Sequence, residues 1–304
     1  MSENPIRYEL SDGIATITID RPDAMNAING AVRKGLWAAF RRFVDEDEAL
    51  VAILTATGEK VFCAGADLKE MSDMALKVPP PDFLPYLNKN IHTNKPVIAA
   101  VNGLAYAGGF YLAQMCDLCI AAETAKFAIT EPKWSRGAPW AAPLPWLIPP
   151  RVAMELLVTA KPISAERAYQ VGLINQVVPL ADLATAAQDM AATIAQNAPL
   201  SVRAGKQMVY AVAEVGWSEA LEAGDAAYEN VYLSEDAQEG PLAFKEKRAP
   251  VWKARQSNQD KGRRICNSAR TYHYRILAAT RRWFGTTPRR QRKWALIFSA
   301  PPTM

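Results

Sequence analysis

The stretch PVIAAVNGLAYAGGFYLAQMCDLCIAA, residues 96–122, contains two apolar runs on either side of a glycine pair. PVIAAVNG (96–103) and DLCIAA (117–122) are short and almost wholly apolar, which indicates buried strands. FYLAQMCDL, which follows the glycines, is predicted to form a helix, so the glycines lie in a turn from strand to helix. Main-chain amides at such a turn point outward with the positive end of the helix dipole, and they favour a bound anion or oxyanion.

The same alternation of strands and helices extends through the first part of the chain. IATITI (14–19) has a β-branched residue at every second position, and VAILTAT (51–57) is a short apolar run, so both are predicted strands. Residues 30–43 place large apolar side chains at helical spacing. From Ala165 onward the segments are mostly helical. This pattern predicts an α/β core with a covered parallel sheet, followed by an α-helical region.

A second turn, CAGAD at 63–67, also follows a predicted strand. Two loops at strand ends could each supply one N–H group to a single oxygen atom. This geometry stabilises an enolate or a tetrahedral oxyanion. Tight packing between two turns is the structural alternative.

Cysteine and histidine usage excludes several classes of site. The four cysteines follow no disulfide framework, and CDLC has no second pair with which to form a zinc site, so we expect packed free thiols and no metal centre. Only His92 and His273 are present. No apolar run reaches the roughly 18 residues of a membrane span, and the first ten residues lack a secretion-signal pattern. We therefore expect a cytoplasmic protein with no membrane partner.

Charge divides the chain near residue 254. Residues 255–304 contain twelve Lys and Arg against one acid, Asp260, whereas the rest of the chain contains 23 bases and 30 acids. The basic segment shows neither a sustained helical stripe nor strand alternation, which predicts a disordered extension. Clustered lysines and arginines could alternatively bind nucleic acid or another anionic surface. We favour an extension without such a role, or a product of out-of-frame translation.

A series of motifs makes the resemblance to a known family specific. The chain resembles the crotonase, or enoyl-CoA hydratase/isomerase, superfamily over about residues 5–252. The motifs that carry it are DRPDAMNAI, FCAGADLKEM, KPVIAAVNGLAYAGG, CDLCIAAETAKFAITEP, LLVTAKPISAERAYQVGLINQVVP and SEDAQEGPLAFKEKRAPVW. The resemblance implies a crotonase-like ββα spiral core (1–195), a C-terminal helical trimerisation region (196–254), and a homotrimer or hexamer. It also implies a CoA thioester as substrate, and we expect no separate cofactor.

The resemblance also implies a set of catalytic groups. The backbone amides of Ala66 and Gly108 would form the oxyanion hole. Family hydratases carry one glutamate two residues after the paired glycines and another about twenty residues later. Here the first position is Tyr111 and the second is Glu131. An unperturbed tyrosine has a pKa of ~10 and a glutamate one of ~4.3, so Tyr111 cannot replace a carboxylate base at neutral pH. We expect Glu131 to carry the proton and Tyr111 to line the pocket, with proton transfer by its hydroxyl the alternative.

Substrate contacts follow from matched positions and from one unusual segment. Ala64, Ala66, Asp67 and Leu68 lie in the loop that runs beside adenine and pantetheine in the family. Tyr228, Phe244 and Lys247 fall where relatives contact the nucleotide end of CoA, often from a neighbouring subunit. KWSRGAPWAAPLPWLIPP (133–150) replaces a glycine-rich helix start. Its rings, Trp134, Trp140 and Trp146, predict a shaped apolar acyl pocket, with packing beneath a trimer interface as the alternative.

Three functions remain open at this point. The first is proton transfer on an enoyl-CoA through a stabilised enolate, in a protein that would usually be labelled an enoyl-CoA hydratase. The second is a single-base enoyl-CoA isomerase or lyase, which fits Tyr111 better because it does not require activated water. The third is an RNA-binding or scaffold role of the basic segment, although a nucleic-acid partner is the least favoured.

Overall fold

The computed structural model describes residues 4–75 and 77–255. The predicted basic extension at 255–304 lies outside these residues except for Arg255. Within the described residues there are ten strands. They are β1 (Ile6–Ser11), β2 (Ile14–Ile19), β3 (Val51–Ala56), β4 (Val61–Cys63), β5 (Val97–Val101), β6 (Leu104–Tyr106), β7 (Leu118–Ala122), β8 (Lys126–Ala128), β9 (Ile163–Ser164) and β10 (Gln176–Val178).

The strands form two sheets whose connectivity repeats along the chain. The larger sheet has the order β1-β2-β3-β5-β7-β10, and only the β1–β2 pair is antiparallel. The smaller sheet has the order β4-β6-β8-β9. Each of the pairs β3–β4, β5–β6 and β7–β8 places its first strand in the larger sheet and its second in the smaller one. This repeat is the ββα spiral that the sequence motifs imply.

Helices follow the strand pairs and make up most of the later part of the described chain. The described helices are α1 (Gly30–Asp45), α2 (Leu68–Asp73), α3 (Gly108–Gln114), α4 (Leu144–Leu147), α5 (Pro150–Thr159), α6 (Ala165–Gln170), α7 (Leu183–Gln196), α8 (Pro199–Val212), α9 (Trp217–Tyr232) and α10 (Asp236–Glu246). None of them combines the length and the apolar character needed to cross a bilayer.

Strand alternation distributes apolar side chains to both faces of the larger sheet. Ala52 and Leu54 belong to the main core, which α1 and the smaller sheet complete, whereas Val51 and Ile53 pack with α7 in a second cluster. The main core contains five fully buried phenylalanines, and each such side chain contributes about 1.5–3 kcal/mol on burial. They are Phe40, Phe43, Phe62, Phe110 and Phe127. This packing fixes the ends of β4, β6 and β8, from which the candidate site is built.

The predicted boundary between core and helical region, 195/196, falls at the end of α7. The boundary stays a prediction. The helix beyond it, α8, is also bonded to the larger sheet. Lys206 of α8 donates to Asp117 Oδ2 at 2.7 Å, at the start of β7, and both side chains are largely buried. Tyr210 Oη donates to the other Asp117 oxygen at 2.8 Å. Removing one partner of a buried ion pair lowers the free energy of unfolding by several kcal/mol, so this pair holds α8 against the sheet.

Candidate active site

Two turns, one after β4 and one after β6, meet in close contact. Gly65 has a positive φ of +100°, and Ala107 also has a positive φ, of +48°, with ψ of −116°. A Cβ placed on Gly65 would lie 3.3 Å from Gly108 N, and one placed on Gly108 would lie 3.7 Å from Ala66 N. A non-glycine residue at such backbone angles costs about 1–3 kcal/mol, and such strain concentrates at functional turns.

Each glycine of the pair has a different close neighbour, and the contact at Gly109 is the stricter of the two. A Cβ on Gly109 would lie 2.0 Å from Cys63 O, so only glycine allows α3 to start against the end of β4. A Cβ on Gly108 would meet Ile28 Cδ1 at 3.0 Å, on the side of the turn that faces Ala66. The pair therefore serves close backbone approach between the two turns.

The amides of Ala66 and Gly108 are unused within the part of the chain that the structure describes. Around Ala66, the neighbouring groups are paired: Ile28 N donates to Gly65 O at 2.8 Å and Asp67 N to Ile28 O at 3.0 Å. Gly108 begins α3, where the first amides of a helix have no intrahelical acceptor. Both residues line one cavity. This placement agrees with the oxyanion-hole prediction, and the convergence of the two amides on one oxygen stays a prediction with the role itself.

A cavity of about 970 Å³ lies against these turns. Its lining includes nine residues that the sequence predicts for the site. They are Ala64, Ala66, Asp67, Leu68, Gly108, Tyr111, Glu131, Trp134 and Trp140. Within the described chain, Trp146 is not part of this lining and its surface is 75% exposed, so the pocket prediction does not extend to that ring.

Glu131 is a buried carboxylate shortly after β8, at the start of a 3-10 turn (Glu131–Trp134). Its Oε1 accepts a hydrogen bond from Trp140 Nε1 at 3.0 Å, and its Oε2 is buried with no hydrogen-bond partner among the described residues. Burial raises the pKa of Glu131 above its ordinary value, and hydrogen bonds from main-chain amides and from Trp140 oppose part of that rise. A buried, unpaired carboxylate oxygen in a cavity is a strong candidate for proton transfer.

Tyr111 is 7% exposed, and its hydroxyl is already engaged. The hydroxyl donates to Pro85 O at 2.7 Å, and the ring stacks on Tyr86 with centroids 5.0 Å apart. Burial raises the pKa of Tyr111 further above the ordinary value of a phenol. These contacts favour the predicted role of pocket wall over the alternative of proton transfer.

Residues 77–91 add a part of the wall that the site prediction omits. Phe83, Leu84, Tyr86 and Asn90 line the cavity. The sequence feature that indicates this segment is the proline run at 79–81, followed by aromatic residues. Prolines restrict the backbone of an irregular segment. The main-chain carbonyl of Pro85 accepts the hydrogen bond from the Tyr111 hydroxyl, and no sequence pattern predicts this contact.

Asp67 has a structural task at the mouth of the cavity. Its Oδ2 accepts from the Arg21 guanidinium at 2.8 Å, and its Oδ1 caps the start of α2 by accepting from Lys69 N and Glu70 N. The hydrogen bond from Arg21 is the main reason that the pKa of Asp67 is lowered. Arg21, which also lines the cavity, is a residue that the site prediction missed. The pair places a guanidinium beside the loop assigned to CoA.

Tyr228, Phe244 and Lys247 lie elsewhere on the described chain. None of them lines the large cavity; Tyr228 borders a second depression formed by α8 and α9, and Phe244 is 87% exposed. Their assignment to CoA within one chain therefore has no geometric support. Their contact with CoA stays a prediction that needs a second subunit.

Comparison with known proteins decides the family. Residues 9–255 match the family described as Enoyl-CoA hydratase/isomerase. The chain belongs to this family. It is 41% identical over 252 residues to the carnitinyl-CoA dehydratase of Salmonella typhi, an alignment that covers 80% of this chain and 95% of the relative.

Solved structures of the enoyl-CoA hydratase/isomerase family share the fold. An enoyl-CoA hydratase from Mycobacterium tuberculosis H37Rv is 36% identical with a TM-score of 0.76, over 83% of this chain and 100% of the other. A probable enoyl-CoA hydratase/isomerase from Mycobacterium abscessus is 39% identical with a TM-score of 0.74, over 84% of this chain and 100% of the other. The predictions of family, fold class and enzymatic function are confirmed.

Proposed function

We propose that this enzyme moves the double bond of an enoyl-CoA thioester, with Glu131 as its single acid–base residue. The observation that carries the proposal is the state of Tyr111. Its hydroxyl donates to Pro85 O at 2.7 Å and its ring is stacked, so no second carboxylate or free hydroxyl occupies the position after the glycine pair. Hydration in this family is expected to use two acids, whereas isomerisation needs one group that removes and returns a proton.

The steps follow from the placement of the groups. The Glu131 carboxylate removes a proton from the α-carbon of a 3-enoyl-CoA, and the electron pair moves toward the thioester carbonyl. The resulting enolate oxygen accepts hydrogen bonds from the amides of Ala66 and Gly108, each worth about 3 kcal/mol in the transition state. Glu131, now protonated, returns a proton to the γ-carbon. The product is the conjugated 2-enoyl-CoA, and no water is consumed.

Reversible dehydration of a 3-hydroxyacyl-CoA is the second candidate. It is favoured by the 41% identity to a protein named carnitinyl-CoA dehydratase. In this reaction Glu131 would remove the α-proton and the same carboxyl group would protonate the departing hydroxide from the same face. A single residue can serve both steps only if the two groups leave on one side of the acyl chain.

The substrate and the assembly complete the proposal. The partner is an acyl-CoA whose acyl group contacts Tyr86, Tyr111 and Trp140, with no further cofactor, in a cytoplasmic enzyme. The protein is a homotrimer or a hexamer, in which Tyr228, Phe244 and Lys247 reach CoA from a neighbouring subunit. Exposed apolar side chains on the last helices support an interface, including Trp217, Leu221, Tyr232 and Phe244. A stable monomer in sedimentation at micromolar concentration would reject the assembly.

A panel of acyl-CoAs tests the reaction. The purified protein is incubated with 2-enoyl-, 3-enoyl- and 3-hydroxyacyl-CoAs in heavy water, and double-bond position, deuterium content and the mass of added or lost water are measured separately. Double-bond movement without added water supports isomerisation, and loss of water from the hydroxy compounds supports the second candidate. Deletion of 255–304 tests whether the basic segment is needed for turnover. Unchanged turnover would place catalysis in the remaining chain, whatever happens to nucleic-acid binding.

A further inference from the structure

Trp140 makes the one side-chain hydrogen bond to Glu131 among the described residues. The donor is the indole Nε1 and the acceptor is Glu131 Oε1, at 3.0 Å. Both residues line the large cavity. The two oxygens of the carboxylate are therefore different, because Oε1 is paired and Oε2 is buried without a partner in the part of the chain that the structure describes.

Trp140 is itself held from several directions. Its main-chain oxygen accepts from Gln114 Nε2 at 2.9 Å and from Tyr86 Oη at 3.3 Å. Its ring meets the edges of Phe110 and Tyr111, with centroids 5.6 and 6.0 Å away. These contacts come from α3 and from the 77–91 segment. The indole is thus fixed before a substrate binds, as a group that orients another must be.

We propose that Trp140 is a positioning residue, whose indole N–H holds Oε1 of Glu131 and leaves Oε2 as the oxygen that exchanges protons with the substrate. The inference rests on the proposed role of Glu131 as the base. It applies to isomerisation and to dehydration alike. Trp140, from the unusual tryptophan–proline segment at 133–150, thus has a second role besides shaping the acyl pocket.

The chemistry of the hydrogen bond sets its expected effect. An N–H donor favours the charged carboxylate over the neutral acid, so it offsets part of the rise in the pKa of Glu131 that burial causes. Without the donor, the carboxylate binds a proton at a higher pH and is free to rotate. The base form is then lost at a higher pH, and at high pH fewer of the deprotonated molecules hold the reactive geometry.

Trp140→Phe tests the proposal, because it keeps an aromatic ring and removes the N–H. The rate of conversion of 3-hexenoyl-CoA to its conjugated isomer is followed from about pH 5 to about pH 9. We expect the acid limb of kcat to move up by about one pH unit. We also expect the plateau of kcat to fall about tenfold while KM changes less. If this probe is inert, 3-hydroxybutyryl-CoA dehydration serves as the same readout.

Trp252→Phe is the matched control. Trp252 also donates its indole N–H, to Gln196 O at 2.8 Å, but it lies away from the cavity. Its pH profile should superimpose on that of the unaltered protein. Should the Trp140→Phe profile also superimpose, the positioning role is wrong.

Gln114→Met provides a second variant in case Trp140→Phe does not fold. It removes the donor that holds the Trp140 carbonyl, and Gln114 does not line the cavity. We expect a shift of the acid limb in the same direction, smaller than that of Trp140→Phe. An unshifted profile in a folded Gln114→Met protein counts against the proposal.

Glu131→Gln separates the two levels of the argument. Loss of activity in this variant together with an unshifted Trp140→Phe profile overturns the positioning role alone. Activity that survives in Glu131→Gln overturns both the proposed base and the inference drawn from it.

Discussion

The two walls of the cavity are built by different means. One, the amide wall, consists of main-chain groups in residues 63–67 and 107–109, and the other, the acid–base wall, consists of the side chains of Tyr86, Tyr111, Glu131 and Trp140. The amide wall keeps what the family motifs predict, since its glycines allow the turns to touch. The acid–base wall departs from the family at Tyr111 and adds an indole donor to Glu131.

This difference separates what the fold fixes from what substitution can change. The amide wall needs glycine at Gly109 and a strained Ala107, so its chemistry cannot change without moving β4 or α3. The acid–base wall consists of side chains, which can be substituted while the backbone stays in place. Substitution can therefore alter the acid–base wall more easily than the amide wall.

Glu131→Gln removes the one base from the acid–base wall, and we expect the largest effect there. Turnover should fall by about 10³-fold or more, since an amide cannot accept the α-proton. Affinity for an unreactive acyl-CoA should persist, because the amide wall is untouched; calorimetry measures it. Glu123→Gln, an exposed glutamate just after β7, is the control and should behave as the unaltered protein.

Gly109→Ala attacks the amide wall instead. The new Cβ would lie 2.0 Å from Cys63 O, so the turn must move. The amides of Ala66 and Gly108 would then no longer be placed to bind the same oxyanion. We expect turnover to fall about 10²-fold and the free energy of unfolding to drop by about 1–3 kcal/mol. Gly240→Ala is the control, because its Cβ would meet only the Trp252 ring at 3.5 Å. If Gly109→Ala retains full activity, the amide wall is not the oxyanion hole.

Tyr111→Glu restores a second carboxylate and would remove the difference between this enzyme and a two-acid hydratase. We expect water addition to crotonyl-CoA to rise by about tenfold if the buried site accepts the charge. Tyr111→Gln is the control, since it has similar size and no base. Equal hydration by the two variants would show that the missing carboxylate does not limit water addition.

Tyr111→Phe should have the smallest effect on turnover. The ring remains, and only the hydrogen bond to Pro85 O is lost, which costs about 1 kcal/mol of stability. The rate of isomerisation should stay within about threefold. A loss of about 10²-fold would mean that the hydroxyl transfers a proton, which would move Tyr111 from pocket wall to acid.

The sequence predicts the amide wall well because glycine carries a local signal. The turns at 63–67 and 107–109 follow apolar strands, and their glycines indicate close backbone approach directly. The pattern of 96–122 likewise predicts β5, α3 and β7, which the structure contains, but it does not predict the short strand β6 between β5 and α3.

The acid–base wall could be predicted only in part, because its key contacts join residues far apart in sequence. Glu131 and Tyr111 are found by matched position. The acceptor of the Tyr111 hydroxyl is the carbonyl of Pro85, 26 residues away, and a carbonyl has no sequence signature. Trp140 and Trp146 look alike in the sequence, yet only Trp140 lines the cavity, since tertiary packing decides which ring turns inward.

One measurement tests the central claim, that a single carboxylate handles the proton while Tyr111 only shapes the wall. The unaltered protein is given 3-hexenoyl-CoA in water enriched in ¹⁸O, and formation of the conjugated isomer and gain of ¹⁸O by the acyl chain are followed in the same sample. The account predicts rapid isomerisation, abolished by Glu131→Gln, with ¹⁸O entering far more slowly than the double bond moves. Gain of ¹⁸O that keeps pace with isomerisation and persists in Glu131→Gln would contradict it, because another residue would then have to activate water.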